Sequence, residues 1–487
     1  MTPPAGSGAP GRPGGRAGGG RSTAGPAARE DLRGLSLWWD QVADEDPGAL
    51  VPRPPLDGDT TADVAVVGAG LTGLWTAYYL LEADSSLEVV LVEREVAGYG
   101  ASGRNGGWCS ALFPTSAAAL ARRHGREGAL ALRAAMRDTV VEVGGVAAAE
   151  EIDCGFAYGG TVTLARSAAQ LARVRASVAE DAAWGDESEL LDAPGFAAHV
   201  RAAGVVGGAF TPDCARLQPA RLVRGLVRVL EERGVRLVEG TRALRLSPGA
   251  VVTDHGTVRA RHVLRATEAW TPDLPGSRRA VAPVYSLMVA TAPLPAAAWE
   301  EIGLERGQTF TDGRNLIVYG QRTTDDRIAF GGRGAPYHLG SRVRPSFDRD
   351  EAVFAHLRAE LVALLPVLRG VDMTHAWGGP LAVPRDWHAS VGLDRATGLG
   401  WAGGYVGDGV ATTNLAGRTL ADLVTGADSE LVRLPWVDHR SPDWEREPLR
   451  WAGITAGLRG AALADRVEDR TGRPSRVAAL LGRLTGH

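Results

Sequence analysis

The sequence predicts an α/β protein built from two interleaved lobes, and three observations carry that prediction. At 487 residues the chain exceeds the roughly 250–300 at which one hydrophobic core stops growing. A glycine-rich turn stands between a short apolar run and a helical stretch, and the later part of the chain changes to strand-like text. Hydrophobic residues make up 45% and charged residues 23%, ordinary values for a soluble globular fold. The formal net charge of -4 gives no basic footprint for nucleic acid. No run of about 18 uncharged apolar residues offers a membrane span.

Residues 1–34 are dominated by Gly, Pro, Ala and isolated Arg without an apolar centre. They read as a disordered tail, matching neither a secretory signal nor an anchor. Cys109, Cys154 and Cys214 are scattered and odd in number, which fits neither a disulfide framework nor a four-ligand zinc site. No metal is expected, and a reducing cytoplasm is the expected compartment. All 53 basic residues are Arg, so lysine chemistry is excluded: no Schiff base, no pyridoxal phosphate linkage and no P-loop lysine.

Ordered structure is expected from Leu35, followed by a proline-rich linker at Pro52 to Pro55. Ala62 to Val67 is an apolar run, broken only by Asp63, of the kind buried on both faces of a parallel sheet. Leu71 to Ala83 reads as a helix and Glu88 to Glu93 as the next strand, completing a βαβ unit. Residues 115–200 have helical spacing, interrupted by the strand-like Gly160 to Leu164, and are expected to cap the first lobe. Pro219 to Arg233 is an amphipathic helix, and Arg236 to Glu239, Ala250 to Thr253 and His262 to Ala266 read as further strands of the same sheet. From residue 283 strands are expected at Val284 to Thr291, Asn315 to Tyr319 and Arg327 to Gly331, with a helix at Asp350 to Leu364. Trp377 to Thr425 returns to the first lobe. The stretch after Gly426, rich in Arg and Trp, carries no clear pattern.

Gly68-Ala69-Gly70-Leu71-Thr72-Gly73 supplies a tight turn at Gly68, close backbone approach to a pyrophosphate at Gly70, and helix–strand packing at Gly73. An anion there meets the free N–H groups and positive dipole of a helix start, opened by Leu71 and Thr72. Glu93, followed by Arg94, ends the second strand at the spacing a ribose-binding carboxylate requires. Together these features point to a dinucleotide. A second block, Gly98 to Trp108, includes Gly100, Ser102, Gly103, Arg104, Asn105, Gly106 and Gly107. Such a loop lets backbone lie flat against a planar ligand, with polar side chains within reach of phosphate or ring heteroatoms. A third, Gly404-Tyr405-Val406-Gly407-Asp408-Gly409-Val410, feeds an apparent helix whose N–H groups can face negative charge developing on a ligand.

On the run Gly100 to Gly107, on Leu264-Arg265-Ala266-Thr267-Glu268-Ala269-Trp270 and on Ala402 to Val410, the sequence resembles the FAD-dependent D-amino-acid oxidase superfamily. Within it, the likeness is to the amine-oxidising branch of γ-glutamylputrescine oxidase type, over most of residues 60–430. The resemblance implies a glutathione reductase-type Rossmann FAD-binding lobe with an inserted β-rich α+β substrate lobe. The pattern along the chain divides it into the first, now FAD-binding, lobe at 35–282, the substrate lobe at 283–376, a return segment at 377–426 and a C-terminal extension at 427–487. The resemblance also implies oxidation of a C–N bond to an imine by hydride transfer to flavin N5, with oxygen or another electron acceptor following. Relatives with cysteinyl flavin carry the cysteine in the later substrate segment, where this chain has none, so the FAD is expected to be non-covalent.

Three departures stand out. Glu268 replaces the family's Asn, Asp408 stands where relatives often carry His, and Ala411 stands where sarcosine oxidases carry Lys, which argues against a sarcosine-type carboxylate clamp. Candidates for the substrate side are Tyr319, Arg333, Trp377 and His388. Two rivals remain at this point: an NAD(P)-dependent dehydrogenase, which shares the βαβ unit but has no need of the second and third glycine blocks, and a flavin-binding protein without turnover.

Overall fold

A computed structural model describes residues 32–305, 307–475 and 477. Most of the expected tail, residues 1–31, lies outside the described residues. Leu32, expected in that tail, is buried with Leu37, Trp38 and Trp39. The exposed Arg33 and Gly34 beside it hid this apolar anchor.

The first sheet is built around β1 (Thr60–Val67), whose last four residues are all buried. It continues through the helix α1 (Leu71–Ala83) into β2 (Val89–Val92), then β3 (Arg236–Val238), β4 (Thr257–Arg265) and β5 (Leu399–Gly403). The spatial order is β3-β2-β1-β4-β5, with an antiparallel edge strand at Ser390–Asp394. All five labelled strands run parallel. The chain therefore leaves β1 in one direction for β2 and β3, then crosses to its other side for β4, and the crevice at such a reversal is where open α/β sheets bind ligands. Glu93, the turn 68–73, the segment 266–270 and the turn 404–408 follow the ends of β2, β1, β4 and β5, so all reach the same edge.

Two glycines set the layer that covers this sheet. A Cβ on Gly73 would lie 2.0 Å from the Gly68 carbonyl oxygen, and one on Gly417 would lie 2.6 Å from the Trp75 carbonyl carbon. Gly73 thus seats α1 on β1, and Gly417 lets α2 (Gly409–Thr425) cross against α1. The hydroxyls of Thr72 and Tyr405 meet at 3.0 Å between them.

The second sheet has eight strands in the order Met373–Val383, Ala282–Thr291, Ile328–Gly332, Val318–Arg322, Thr309–Asp312, Thr161–Ala165, Gly207–Thr211, Glu189–Asp192. Three of these come from residues 161–211, so part of the stretch read as a helical cap of the first lobe builds the far edge of the second sheet. The misreading has a local cause: Ala-rich helices at Ala117–Ala149 and Ala168–Ala183 flank short strands and dominate the periodicity. The strand expected at 315–319 sits at Val318–Arg322 instead. Met373–Val383 pairs along its length with Ala282–Thr291, which puts Trp377 in the second sheet; the chain re-enters the first sheet at Ser390. Beyond Gly426, Trp436 is fully buried in the first lobe's core, and a helix runs over Leu449–Thr471.

Candidate cofactor and substrate site

At the carboxyl edge of the first sheet lies an open cleft bordered by Gly68, Gly70, Thr72, Glu93, Arg94, Gly100, Ser102, Glu268 and Trp270 among others. Its floor is the turn after β1. Gly68 has φ +105, and a Cβ there would meet the Ala266 carbonyl oxygen at 2.4 Å, so the turn also packs against the end of β4. A Cβ on Gly70 would reach the Ser102 hydroxyl oxygen at 2.9 Å. That hydroxyl instead accepts the Leu71 N–H at 2.8 Å and so joins the helix start to the second glycine block.

Glu93 borders the cleft with one carboxylate oxygen accepting the Ala69 N–H at 2.8 Å and the other accepting the Glu95 N–H at 2.9 Å. Burial raises its pKa, against the pull of those two N–H groups and Arg94. Arg94 lies over the Trp270 ring at 5.4 Å and pairs with Glu95 and Asp273 at 3.1 and 3.3 Å. A glycine floor that a Cβ would fill and a carboxylate at the second strand's end, both bordering one open cleft, fit a dinucleotide such as FAD.

The second glycine block is held from outside, carbonyl by carbonyl. The Gly103 carbonyl accepts from the Ser36 hydroxyl at 3.0 Å, that of Arg104 from the Trp377 indole N–H at 2.9 Å, that of Asn105 from the Trp38 indole N–H at 2.8 Å, and that of Gly106 from the Gln321 amide at 2.6 Å. The donors come from the N-terminal helix Leu37–Glu45 with its cap Ser36 and from the second sheet. Sequence reasoning missed Ser36, Trp38 and Gln321 in this role, because a donor aimed at a distant backbone carbonyl leaves no local pattern.

The polar side chains of this loop are not turned toward a ligand. The Arg104 guanidinium, 1% exposed, pairs with Asp348 at 2.7 Å and donates to the Gly378 carbonyl at 3.1 Å. Asn105 donates to the carbonyls of Ala101 and Ser102 and accepts the Gly107 N–H. Both serve the loop itself, and Arg104 is unavailable as a carboxylate clamp in this conformation.

Among the four substrate-side candidates, the structure separates two pairs. Trp377 is 2% exposed and stands edge-on to Trp38, ring centroids 6.1 Å apart, so it holds the loop from behind. His388 is fully buried, with Nδ1 at 2.7 Å from the Ala389 carbonyl and its ring stacked on His439 at 3.9 Å. Burial, then the neighbouring His439, lowers its pKa to about 4. Its position just before the edge strand made it look like a site residue, but the side chain packs inward against Phe113.

Tyr319 and Arg333 belong to a different environment. The Tyr319 ring lies so close to the loop that a Cβ on Gly106 would come within 2.9 Å of it, and its hydroxyl meets that of Ser286 at 2.8 Å. Burial raises its pKa, opposed by Ser286 and by the Arg333 charge. Arg333 also lies within electrostatic reach of Asp408. Asp408 caps α2 in position only, with no side-chain cap hydrogen bond; burial raises its pKa to about 6, against the pull of Arg333. Ala411, where the sarcosine-type lysine is missing, is 1% exposed on α2.

Glu268 was noted in the sequence only as a departure. Its backbone sits at φ +40, a region that Asn tolerates far better than Glu. One carboxylate oxygen accepts the Tyr405 N–H at 3.2 Å, and the other is buried with no hydrogen-bond partner among the described residues. Burial raises its pKa to about 7, against the N–H groups of Tyr405 and Gly404 and the charge of Arg265. The side chain thereby ties the end of β4 to the turn after β5.

With this geometry in view, comparisons with known proteins place the chain. A family model described as FAD dependent oxidoreductase matches residues 63–423. The chain is 31% identical over 396 residues to the probable oxidoreductase OrdL of Rhizobium meliloti, covering 79% of this chain and 88% of that one. It is 28% identical to the gamma-glutamylputrescine oxidoreductase of Escherichia coli over 77% of this chain and 86% of that one. Its fold matches glycine oxidase from Geobacillus kaustophilus with a TM-score of 0.66 at 20% identity, covering 78% of this chain and 99% of that one. With the family model spanning residues 63–423, well over half of the chain, the chain belongs to the FAD dependent oxidoreductase family.

Proposed function

We propose that this protein oxidises the C–N bond of an amine or amino-acid-like substrate to an imine, using FAD held without a covalent bond. The observation that carries the reading is the meeting of the two lobes at Gly106, where Tyr319 of the second sheet lies against the glycine loop of the first. When bound, the flavin supplies the two-electron acceptor. The chain's own residues bind and orient: Gly68 to Gly73 and Glu93 hold the dinucleotide end, the backbone of residues 100–107 offers a flat wall, and the start of α2 at Gly407, Gly409 and Val410 presents N–H groups. Tyr319, Arg333 and Asp408 border the substrate side. The names of the relatives, a gamma-glutamylputrescine oxidoreductase and a glycine oxidase, support an amine or amino acid as substrate.

Several finer readings belong with this proposal. The strand order β3-β2-β1-β4-β5 supports a glutathione reductase-type FAD lobe, with residues 283–376 as the core of a substrate lobe that also recruits strands from 161–211. The three cysteines are fully buried, which supports non-covalent FAD. Burial pushes the thiols of Cys154 and Cys214 up to about 11 and that of Cys109 well above its usual range, so none is poised as a nucleophile. Among the described residues no helix is long and apolar enough to cross a membrane, and we place the protein in the cytoplasm, with no nucleic-acid partner. Oxygen or another acceptor takes the electrons. Anaerobic flavin bleaching across a panel of putrescine, γ-glutamylputrescine, secondary amines, sarcosine, glycine and D-alanine tests the reading. We expect the amines to bleach faster than sarcosine or D-alanine; bleaching by the latter alone would overturn the amine preference.

A further inference from the structure

We propose that Asp408 is the carboxylate that receives a positively charged nitrogen of the substrate other than the one oxidised, which must be neutral when its neighbouring carbon gives up hydride. This rests on the amine-oxidising reading above and adds to it the residue that recognises the ammonium.

The acids around the site differ in what occupies them. Glu93 accepts two backbone N–H groups, from Ala69 and Glu95. Glu239, at the end of β3, accepts those of Ala97 and Arg53 at 2.7 and 2.6 Å. Asp348 holds Arg104, and Glu268 accepts the Tyr405 N–H. Each of these joins two segments of chain. The Asp408 carboxylate accepts no hydrogen bond from any described residue, and its oxygens are not sealed from solvent as the free oxygen of Glu268 is.

The structural explanation for an acid at this position is a helix cap, and the geometry removes it. Ser36, Ser116, Ser167, Asp192 and Asp350 all accept an N–H of the helix they precede. Asp408 accepts none from α2. It is half-buried, and a Cβ on the neighbouring Gly407 would be 3.5 Å from Leu381 of the second sheet, so this turn faces the second lobe.

A half-buried carboxylate that accepts no hydrogen bond from the protein is costly to keep ionised unless a counter-charge arrives. Arg333 is the charged group whose influence on Asp408 is resolved, and it is exposed, so water screens much of its attraction. A substrate ammonium supplies both the charge and the donors that Asp408 lacks. Burial raises its pKa to about 6, so above that pH the carboxylate is ionised and able to pair, and below it the pairing fades.

The test is anaerobic stopped-flow reduction of the FAD-loaded protein with putrescine and γ-glutamylputrescine, read as apparent Kd and limiting rate. Asp408→Asn is expected to raise Kd at least about tenfold while the oxidised flavin spectrum and limiting rate stay close to wild type. Asp408→Glu is expected to recover most of the affinity. Wild-type affinity is expected to fall as pH drops through about 6, with that limb absent in Asp408→Asn. If both amines bleach wild type but Kd and its pH limb are the same in Asp408→Asn, the assignment is overturned and the amine-oxidising reading stands. If neither amine bleaches wild type, both fall. Should Asp408→Asn be isolated without FAD, the wild-type limb near pH 6 decides alone: its absence overturns the proposal.

Discussion

Glu93 and Ala69 are joined by a hydrogen bond of 2.8 Å from the Ala69 N–H to the Glu93 carboxylate, so the residue proposed to meet a ribose also fixes the turn proposed to meet the phosphates. Glu93→Ala removes both functions. The expected result is a loss of FAD affinity on the order of 1–3 kcal/mol, the usual range for a charged hydrogen bond. Titration of the apoprotein with FAD by fluorescence quenching measures it, and an unchanged Kd would count against the ribose assignment.

Gly73→Ala is expected to be severely destabilising. Its Cβ would stand 2.0 Å from the Gly68 carbonyl oxygen, so α1 must lift from β1, at a cost of about 1–3 kcal/mol or more. Gly453→Ala, in the helix Leu449–Thr471 with nothing within 4 Å of its Cβ, provides the contrast and should gain about 0.5–1 kcal/mol. Thermal unfolding of the two variants should shift in opposite directions. A neutral Gly73→Ala would mean that the helix–strand contact is looser than described.

Trp377→Phe should separate structure from chemistry. It strips the donor from the Arg104 carbonyl and should cost about 1–3 kcal/mol of stability for a buried acceptor left unpaired. Substrate affinity in anaerobic reduction should change little, because the indole faces the back of the glycine loop. A large rise in substrate Kd with unchanged stability would restore Trp377 to the substrate side.

Glu268 makes stability depend on pH in a direction opposite to that of most carboxylates. Its pKa in the folded protein is raised from the ordinary 4.5 to about 7, so the folded state binds the extra proton. The contribution is fully present below about 4.5 and is lost as pH rises through about 7. Glu268→Gln, which keeps the acceptor for the Tyr405 N–H, should be flatter across this window and more stable than wild type at pH above about 8. Melting temperatures of the two holoproteins from pH 5 to pH 9 check this; parallel curves would contradict it.

The parts of this protein that were legible in its sequence are those where one stretch of chain does a whole job. Gly68 to Gly73 with Glu93 reads as a dinucleotide turn because strand, turn, helix and carboxylate follow in order, and α1 falls at Leu71–Ala83 as expected. The second sheet was harder. Thr161–Ala165 and Thr309–Asp312 are parallel neighbours, yet they lie far apart in the chain, and each is too short to announce a partner. The same limit applies to the site. Arg104 looked like a ligand for an anion until Asp348, 244 residues away, was found beside it. The four donors that hold the carbonyls of residues 103–106 come from positions 36, 38, 321 and 377, a convergence that only the folded chain brings about. Asp408 was visible as a departure from a pattern, but its lack of a partner is a property of the space around it.

Anaerobic addition of amines to the purified protein, followed at about 450 nm where oxidised flavin absorbs, reads amine oxidation on the bound FAD. The protein is expected to be yellow, to bleach with a primary or secondary amine and, after acid precipitation, to leave intact FAD in the supernatant. A protein that carries FAD yet stays oxidised with every amine and amino acid in the panel would contradict the oxidative function, and flavin retained in the precipitate would contradict its non-covalent attachment.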